Sequence, residues 1–373
     1  MTASLQEITQ RVIEDACTIQ QIPAPTFQEK ARADFISSRW NALRQLQPEI
    51  DEAGNVLALY PGTLTTFQVV ITAHMDTVFP AEFPLHLIRE ENRICGAGIG
   101  DNALGCAALL NLPSLIDENP ATRGNLWLVA TTGEEGLGNL KGMKALLKRF
   151  EGMPTVYISL EGMGLGCILH RGLGVSRYRI EIQTPGGHSW SDAGAPSAVH
   201  EIIRLSRALL DMQLPRFPRT TLNIGIIRGG TSINSIAPHA LIEVDLRSET
   251  SEALRRIENL LQETVRRFES GSVKVFLTPI GNRPAGSISE NHPMVTLLEN
   301  ILRQMDIPPR HEIGSTEANL PLSLGIPAVT IGITNGAKAH TAEEYIECLP
   351  IEQGLWQLRE LLRQIWNCNI FVP

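Results

Sequence analysis

The stretch VVITAHMDTVFP, residues 69–80, runs apolar through Ala73 and then presents His74 and Asp76 two positions apart. Its apolar part does not alternate with polar residues. A strand apolar on both faces belongs to a parallel sheet covered by helices on each side. Three further runs read the same way: LWLVAT (126–131), VYISL (156–160) and AVTIGI (328–333). Segments 4–21 and 28–43 have helical apolar spacing, as do segments near 291–305 and 351–367, and they supply covering helices. Segment 101–117 reads as another, interrupted at Pro113 because proline removes a helical donor and clashes with the preceding turn.

Between these runs the texture changes. VSRYRIEIQT (175–184), TLNIGII (221–227), LIEVDLR (241–247) and VKVFLT (273–278) alternate apolar with polar, the pattern of a sheet with one wet face. Amphipathic helices at 197–212 and 251–268 interleave with them, giving the β-α-β-β-α-β order of a ferredoxin-like unit. The expected fold is an α/β protein: a doubly wound, mostly parallel-sheet domain over 1–173 and 282–373, with an inserted ferredoxin-like α+β domain over 174–281.

Composition narrows the function classes. The net charge of -8 over 373 residues leaves no electrostatic footprint for nucleic acid or an acidic membrane. No apolar stretch approaches the ~20 residues of a membrane-spanning helix, and the N-terminus lacks a signal-peptide core. Six cysteines are scattered without paired spacing, which points to free thiols and a cytoplasmic location.

The charged residues sit where the apolar runs end. LWLVAT leads into Gly133-Glu134-Glu135-Gly136, VYISL into Glu161-Gly162, and AVTIGI into a loop ending Ala339-His340-Thr341; Asp101 lies in GAGIGDNALG at the start of a covering helix. Any one of these could be a helix cap or a solvated loop acid. Together they occupy the strand carboxyl ends, where open α/β sheets bind ligands. Two histidines with three carboxylates suit Zn²⁺, Mn²⁺ or Co²⁺, and five ligands exceed what one open zinc site takes. Two metals sharing a bridging carboxylate fit better. Adjacent side chains diverge, so one of Glu134 and Glu135 can hold metal while the other serves as a base.

The series AHMDT, GIGDNALG, TTGEEGLG, LEG, TPGGHSW, GGTSINSIAP, VDLRS and AHTAEE resembles, in order and over about residues 5–365, the di-zinc peptidase family that contains peptidase T, bacterial glutamate carboxypeptidase and aminoacylase. The resemblance implies a catalytic domain carrying a lid and dimerisation domain, and a homodimer. By position it implies that His74, Asp101 and Glu161 hold one metal, and that Asp101, Glu135 and His340 hold the other. Asp76 would orient the His74 ring, and Glu134 would be the general base. His188, sent into the partner's site, would supply the oxyanion donor, while Asn234, Arg247 and Arg283 would contact substrate. A cis peptide is implied at Asp101–Asn102. The implied reaction is amide hydrolysis of a small peptide or an N-acyl amino acid, by an exopeptidase or alternatively a deacylase, with a non-catalytic metal-binding relative as a further alternative.

Two positions depart from the family pattern. Asp101-Asn102-Ala103 stands where the family often has Asp-Asp-Lys, which keeps the ligand and loses a nearby charge. Glu161, rather than Asp, is similar to the carboxypeptidase and deacylase branches. The remaining candidates read blandly. Gly98-x-Gly100-x-x-Ala103 matches a loose dinucleotide fingerprint without a convincing strand before it. Ser189 lacks a nucleophile elbow, and Cys106 is expected to pack. His86, His170, His200, His239, His292 and His311 are expected at the surface or as helix caps.

Overall fold

The computed structural model describes residues 4–43, 45–116, 124–368 and 370. The chain divides into two compact units, Met1–Gly172 with Ser287–Pro373, and Leu173–Gly286.

In the first unit, strands Gly124–Thr131, Leu64–His74, Thr155–Met163 and Ala328–Thr334 lie side by side in that order and run parallel. Antiparallel strands flank them, Val56–Tyr60 on one side and Cys167–Gly172 on the other, and Arg310–Gly314 adds a parallel strand beyond the latter. Val69, Ile71 and Ala73 of one strand enter a core with helices Leu5–Gln20, Leu104–Asn111, Pro293–Gln304 and Ile351–Gln364. Val70 faces the other way, into a cluster with Met143 and Leu146 of helix Lys141–Arg149 and Leu322 of helix Asn319–Ser323. Both faces are thus covered, which is why the run carries no alternation.

The helix expected over 101–117 differs at both ends. Ile99–Ala103 forms a wide π-type turn, the α-helix proper is Leu104–Asn111, and Pro113 sits in a 3₁₀ turn at Leu112–Ser114. Asp117 lies outside the described residues. The wide turn arises because Asp101 and Asn102 have non-helical backbone angles, which aim the Asp101 carboxylate instead of continuing the helical ladder.

The second unit is a four-stranded antiparallel sheet in the order Thr220–Gly229, His239–Ser248, Gly174–Gln183, Lys274–Arg283. Numbered along the chain this is order 2-3-1-4, the ferredoxin-like arrangement. Ala240, Ile242, Val244 and Leu246 are buried against helices Ala198–Leu210 and Ser251–Arg266, and the intervening residues of that strand are not fully buried. A separate short ribbon pairs Gly187–His188 with Ser235–Ile236. Among the described residues no helix is long and apolar enough to cross a membrane.

Candidate metal centre

Parallel pairing places His74 opposite Thr131, and Glu161 opposite Gly332, so the strand ends converge on one edge of the sheet. His74, Asp101 and Glu161 bring one ligand atom each to within 4.8 Å of one another, and Asp101, Glu135 and His340 do the same. The two groups meet in Asp101. Its Oδ1 lies 3.1 Å from His74 Nε2 and its Oδ2 lies 3.0 Å from His340 Nε2. Glu161 Oε2 stands 3.6 Å from His74 Nε2, and Glu135 Oε1 stands 3.1 Å from His340 Nε2. The Asp101–Asn102 peptide is cis. His340 has φ of 65°, a left-handed conformation uncommon outside glycine and enriched for His at loops of this kind.

The charges of the cluster interact strongly. Burial works against a proton on His74, but the Asp101 carboxylate at hydrogen-bond distance and the nearby Asp76 and Glu161 carboxylates outweigh it, and the imidazole is held well above its ordinary value. His340 is raised to about 10 by hydrogen bonds to Asp101 and Glu135. Burial pushes Glu161 up to about 7 against the pull of His74. Three carboxylates crowded this closely require positive charge among them, and protons on the histidines supply it where cations do not. The donor set therefore fits two divalent ions sharing the Asp101 carboxylate.

Buried groups hold this arrangement in place. Asp76 is fully buried: its Oδ1 accepts the Glu134 N–H at 3.0 Å, and its Oδ2 accepts the Glu135 N–H at 2.9 Å and the Thr26 hydroxyl at 2.9 Å. The nearer partner of His74 Nδ1 is the Asp76 main-chain oxygen at 3.1 Å, with the carboxylate at 3.6 Å. The Asp76 side chain thus fixes the Glu134–Glu135 turn, and its backbone meets the ring. Glu134 is buried beside Glu135. Gly133, in the left-handed region at φ 65°, gives its N–H to Glu29 at 3.0 Å.

Sequence reading did not single out Glu344, although it lies in the quoted AHTAEE motif. Its buried carboxylate accepts N–H groups from Gly98, Gly100 and Asp101 at 3.1, 2.7 and 2.8 Å, and this tethers the loop that carries the shared ligand. Arg32, 1% exposed, is a second omission: it donates to the Met75 carbonyl at 2.7 Å, one residue past His74. Neither shows a local spacing signal, because their partners are main-chain atoms far away in sequence. Cys106 is packed, its Sγ 3.0 Å from the His74 carbonyl.

The remaining candidates belong to the second unit. His188 is exposed on the ribbon and pairs with Ser235, while the Ser189 N–H donates to the Asn234 carbonyl at 3.1 Å, so His188 and Asn234 lie together. His188 Nδ1 accepts N–H groups from Trp190 and Ser191 at 3.2 and 3.3 Å. The neutral ring therefore carries its proton on Nε2, as an outward donor. Arg247 lies on the four-stranded sheet, and Asp245 accepts from its Nε and Nη2 at 3.0 and 3.2 Å. Arg283 is buried at the end of its strand, opposite Val175.

Of the histidines expected at the surface or as caps, His292 caps helix Pro293–Gln304 by accepting the Met294 N–H. His170 departs from that expectation and is buried.

Fold and cluster together define a peptidase-type metallohydrolase. The chain belongs to peptidase family M20/M25/M40, whose model matches residues 70–366, and it is a hydrolase of that family. It is 32% identical over 232 residues to a peptidase M20 domain-containing protein of Schizosaccharomyces pombe; the match covers 59% of this chain and 54% of that protein. It is 24% identical over 330 residues to N-acetyl-L-citrulline deacetylase of Xanthomonas campestris, covering 84% of this chain and 86% of that one. In fold it is similar to a tripeptidase from Staphylococcus aureus, with a TM-score of 0.79 at 22% identity, covering 96% of this chain and 99% of the other.

Proposed function

We propose that this chain is a metal-dependent exopeptidase that hydrolyses amide bonds of small peptides, with His74, Asp101 and Glu161 holding one divalent ion and Asp101, Glu135 and His340 a second. The observation that carries the reading is the divided Asp101 carboxylate, one oxygen toward each histidine at 3.1 and 3.0 Å. Zinc suits this mix of imidazole and carboxylate donors, and Co²⁺ or Mn²⁺ can replace it. Bound cations of this kind acidify a water and polarise a carbonyl.

Glu134 takes the water's proton and returns it to the leaving nitrogen. Its neighbour Glu135 is committed to the metal side, so the turn braced by Asp76 keeps the two carboxylates apart in role. His188 donates its Nε2–H to the developing oxyanion. Asn234, Arg247 and Arg283 contact the substrate, and Arg247 meets a substrate carboxylate. Strand Thr220–Gly229 ends the four-stranded sheet and pairs on one side only among the described residues. An open edge of that kind invites pairing. We assign the edge to a homodimer in which His188 of one protomer serves its partner. The six free thiols, with no disulfide among them, favour a reducing compartment, the cytoplasm.

A second reading, an N-acyl-amino-acid deacylase, draws on the likeness to the Xanthomonas deacetylase. The two share every residue named above and differ in the group beyond the scissile bond. A panel of di- and tripeptides against N-acetyl amino acids, assayed after reconstitution with Zn²⁺, Mn²⁺ or Co²⁺, separates them. Peptide turnover that a chelator abolishes supports the first reading. Turnover confined to acetylated amino acids establishes the second, and no turnover on either class sinks both.

A further inference from the structure

His170, Glu290 and His311 of the first unit bring one ligand atom each to within 4.8 Å of one another, and they share no residue with the centre described above. The sheet register explains how two of them meet. His311 on strand Arg310–Gly314 pairs with Ile168 on strand Cys167–Gly172. His170, two residues beyond Ile168 and buried like it, is the residue skipped where the register shifts between Glu312 and Ile313, which leaves its side chain free of a cross-strand partner beside His311. The two rings stand edge to face with centroids 5.3 Å apart. Glu290 joins them from the segment before helix Pro293–Gln304.

The second nitrogen of each ring has a partner. His170 Nδ1 lies 2.8 Å from the Ile288 carbonyl, which can only accept, so Nδ1 carries the proton and Nε2 keeps its lone pair. That Nε2 is buried and has no hydrogen-bond partner, on a side chain 1% exposed. An orphaned buried acceptor costs free energy unless something occupies it. His311 Nε2 lies 2.8 Å from Glu299 Oε1. Arg303 Nη2 donates to the other oxygen of Glu299 at 2.8 Å, so the carboxylate is the acceptor, and in the neutral His311 ring Nδ1 keeps its lone pair. One imidazole on a carbonyl and one on a carboxylate is the supporting arrangement that orients metal-binding histidines.

We propose that His170, His311 and Glu290 form a second metal site, for a single divalent ion of the zinc class, with water completing the coordination. Two imidazoles and one carboxylate are the donors such an ion prefers, and three protein ligands leave a position open. The ion would tie strand Cys167–Gly172, strand Arg310–Gly314 and the segment before helix Pro293–Gln304 into one structural clasp, away from the reacting groups.

The test counts metal in the whole 373-residue chain. After chelation and equilibration with Zn²⁺, the wild-type chain is expected to bind one more equivalent than either His311→Ala or Glu290→Ala. Both positions are exposed, so the fold should survive, and peptide turnover at saturating Zn²⁺ should stay within about two-fold. In an Asp101→Ala background, added Zn²⁺ should still raise the melting temperature, and adding His311→Ala should remove that rise. Equal stoichiometry in the wild type and both single variants overturns the proposal, as does a zinc-induced rise in melting temperature that survives His311→Ala. Neither arm depends on the reaction proposed above, because metal count and melting temperature are read without substrate.

Discussion

The carboxylate cluster of the first unit and the His188 ribbon of the second are both built from loops that follow strands, and they are held in opposite ways. In the cluster, Asp76, Glu344 and Glu29 are buried acids whose lone pairs are taken up by backbone N–H groups of the loops carrying Glu134, Glu135 and Asp101. On the ribbon, His188 and Asn234 are exposed, and so is Asp192, whose carboxylate accepts the His188 N–H at 2.7 Å; the other bonds are local too. A buried carboxylate that lost its donors would bear the full desolvation cost, so the cluster has little freedom to rearrange. The ribbon has no such constraint, and its residues suit a role completed by something outside the unit. On the proposed function, the metal groups are preorganised, whereas the oxyanion donor assigned to His188 is completed by a second protomer.

The largest effect should come from emptying the cluster. Chelation is expected to abolish hydrolysis, and His74→Ala or Asp101→Ala to lose bound metal by elemental analysis. Full turnover in a demonstrably metal-free sample would remove the basis for calling the cluster the catalytic side of the comparison. Next is Glu134→Gln: with the ligand role proposed for Glu135 and the base role for Glu134, it should retain metal and lose ~10²–10⁴-fold in turnover. If instead Glu134→Gln loses metal and Glu135→Gln keeps it, the roles of the adjacent acids are exchanged.

The ribbon is tested by His188→Ala, for which kcat should fall ~10²–10³-fold with metal content unchanged, the typical loss for one oxyanion donor. Mixing His188→Ala with Glu134→Gln chains should restore part of the activity, since one site of a mixed dimer then holds both groups. A fully active monomer by light scattering, or no recovery in well-mixed samples, would show that the ribbon does not act across protomers.

Most of the cluster was legible because a parallel sheet turns sequence order into a spatial rule: the residue after each unalternating apolar run lands on one edge. His74, Glu135, Glu161 and His340 all follow such runs. The alternating texture of 175–184, 221–227, 241–247 and 273–278 likewise shows in the one-sided burial of the second sheet. What was illegible concerns partners of opposite kind. Glu344 looks like any loop acid until the fold brings three main-chain N–H groups to it from more than two hundred residues away. His170 looked like a surface residue because the groups it meets, the Ile288 main chain and the His311 ring, come more than a hundred residues later. The wide turn at Ile99–Ala103 broke a segment that periodicity alone reads as helix, because backbone angles at Asp101 and Asn102 follow from tertiary contacts and not from propensity.

The smallest expected effect sharpens the comparison most, because it separates holding a metal ligand from holding the loop around it. Asp76 was expected to orient the His74 ring; its carboxylate accepts the Glu134 and Glu135 N–H groups and the Thr26 hydroxyl, its Oδ1 also faces the ring at 3.6 Å, and its main-chain oxygen lies nearer at 3.1 Å. Asp76→Asn preserves size and the main-chain contact. It replaces one acceptor oxygen by an NH₂ that must face an N–H or a hydroxyl, so one of the three bonds fails. Metal affinity should fall by ~10–100-fold, the usual cost of disturbing a group that supports metal ligands. At saturating metal, turnover should recover only in part, because Glu134 sits on the same loosened turn. If the carboxylate instead mattered through the ring alone, saturating metal would restore full turnover, with Glu134 undisturbed. Competitive zinc titration followed by assay at saturating zinc distinguishes the two. Full recovery would mean that the Glu134–Glu135 turn keeps its place without Asp76, and that the buried side of the comparison is less rigid than its hydrogen bonds imply.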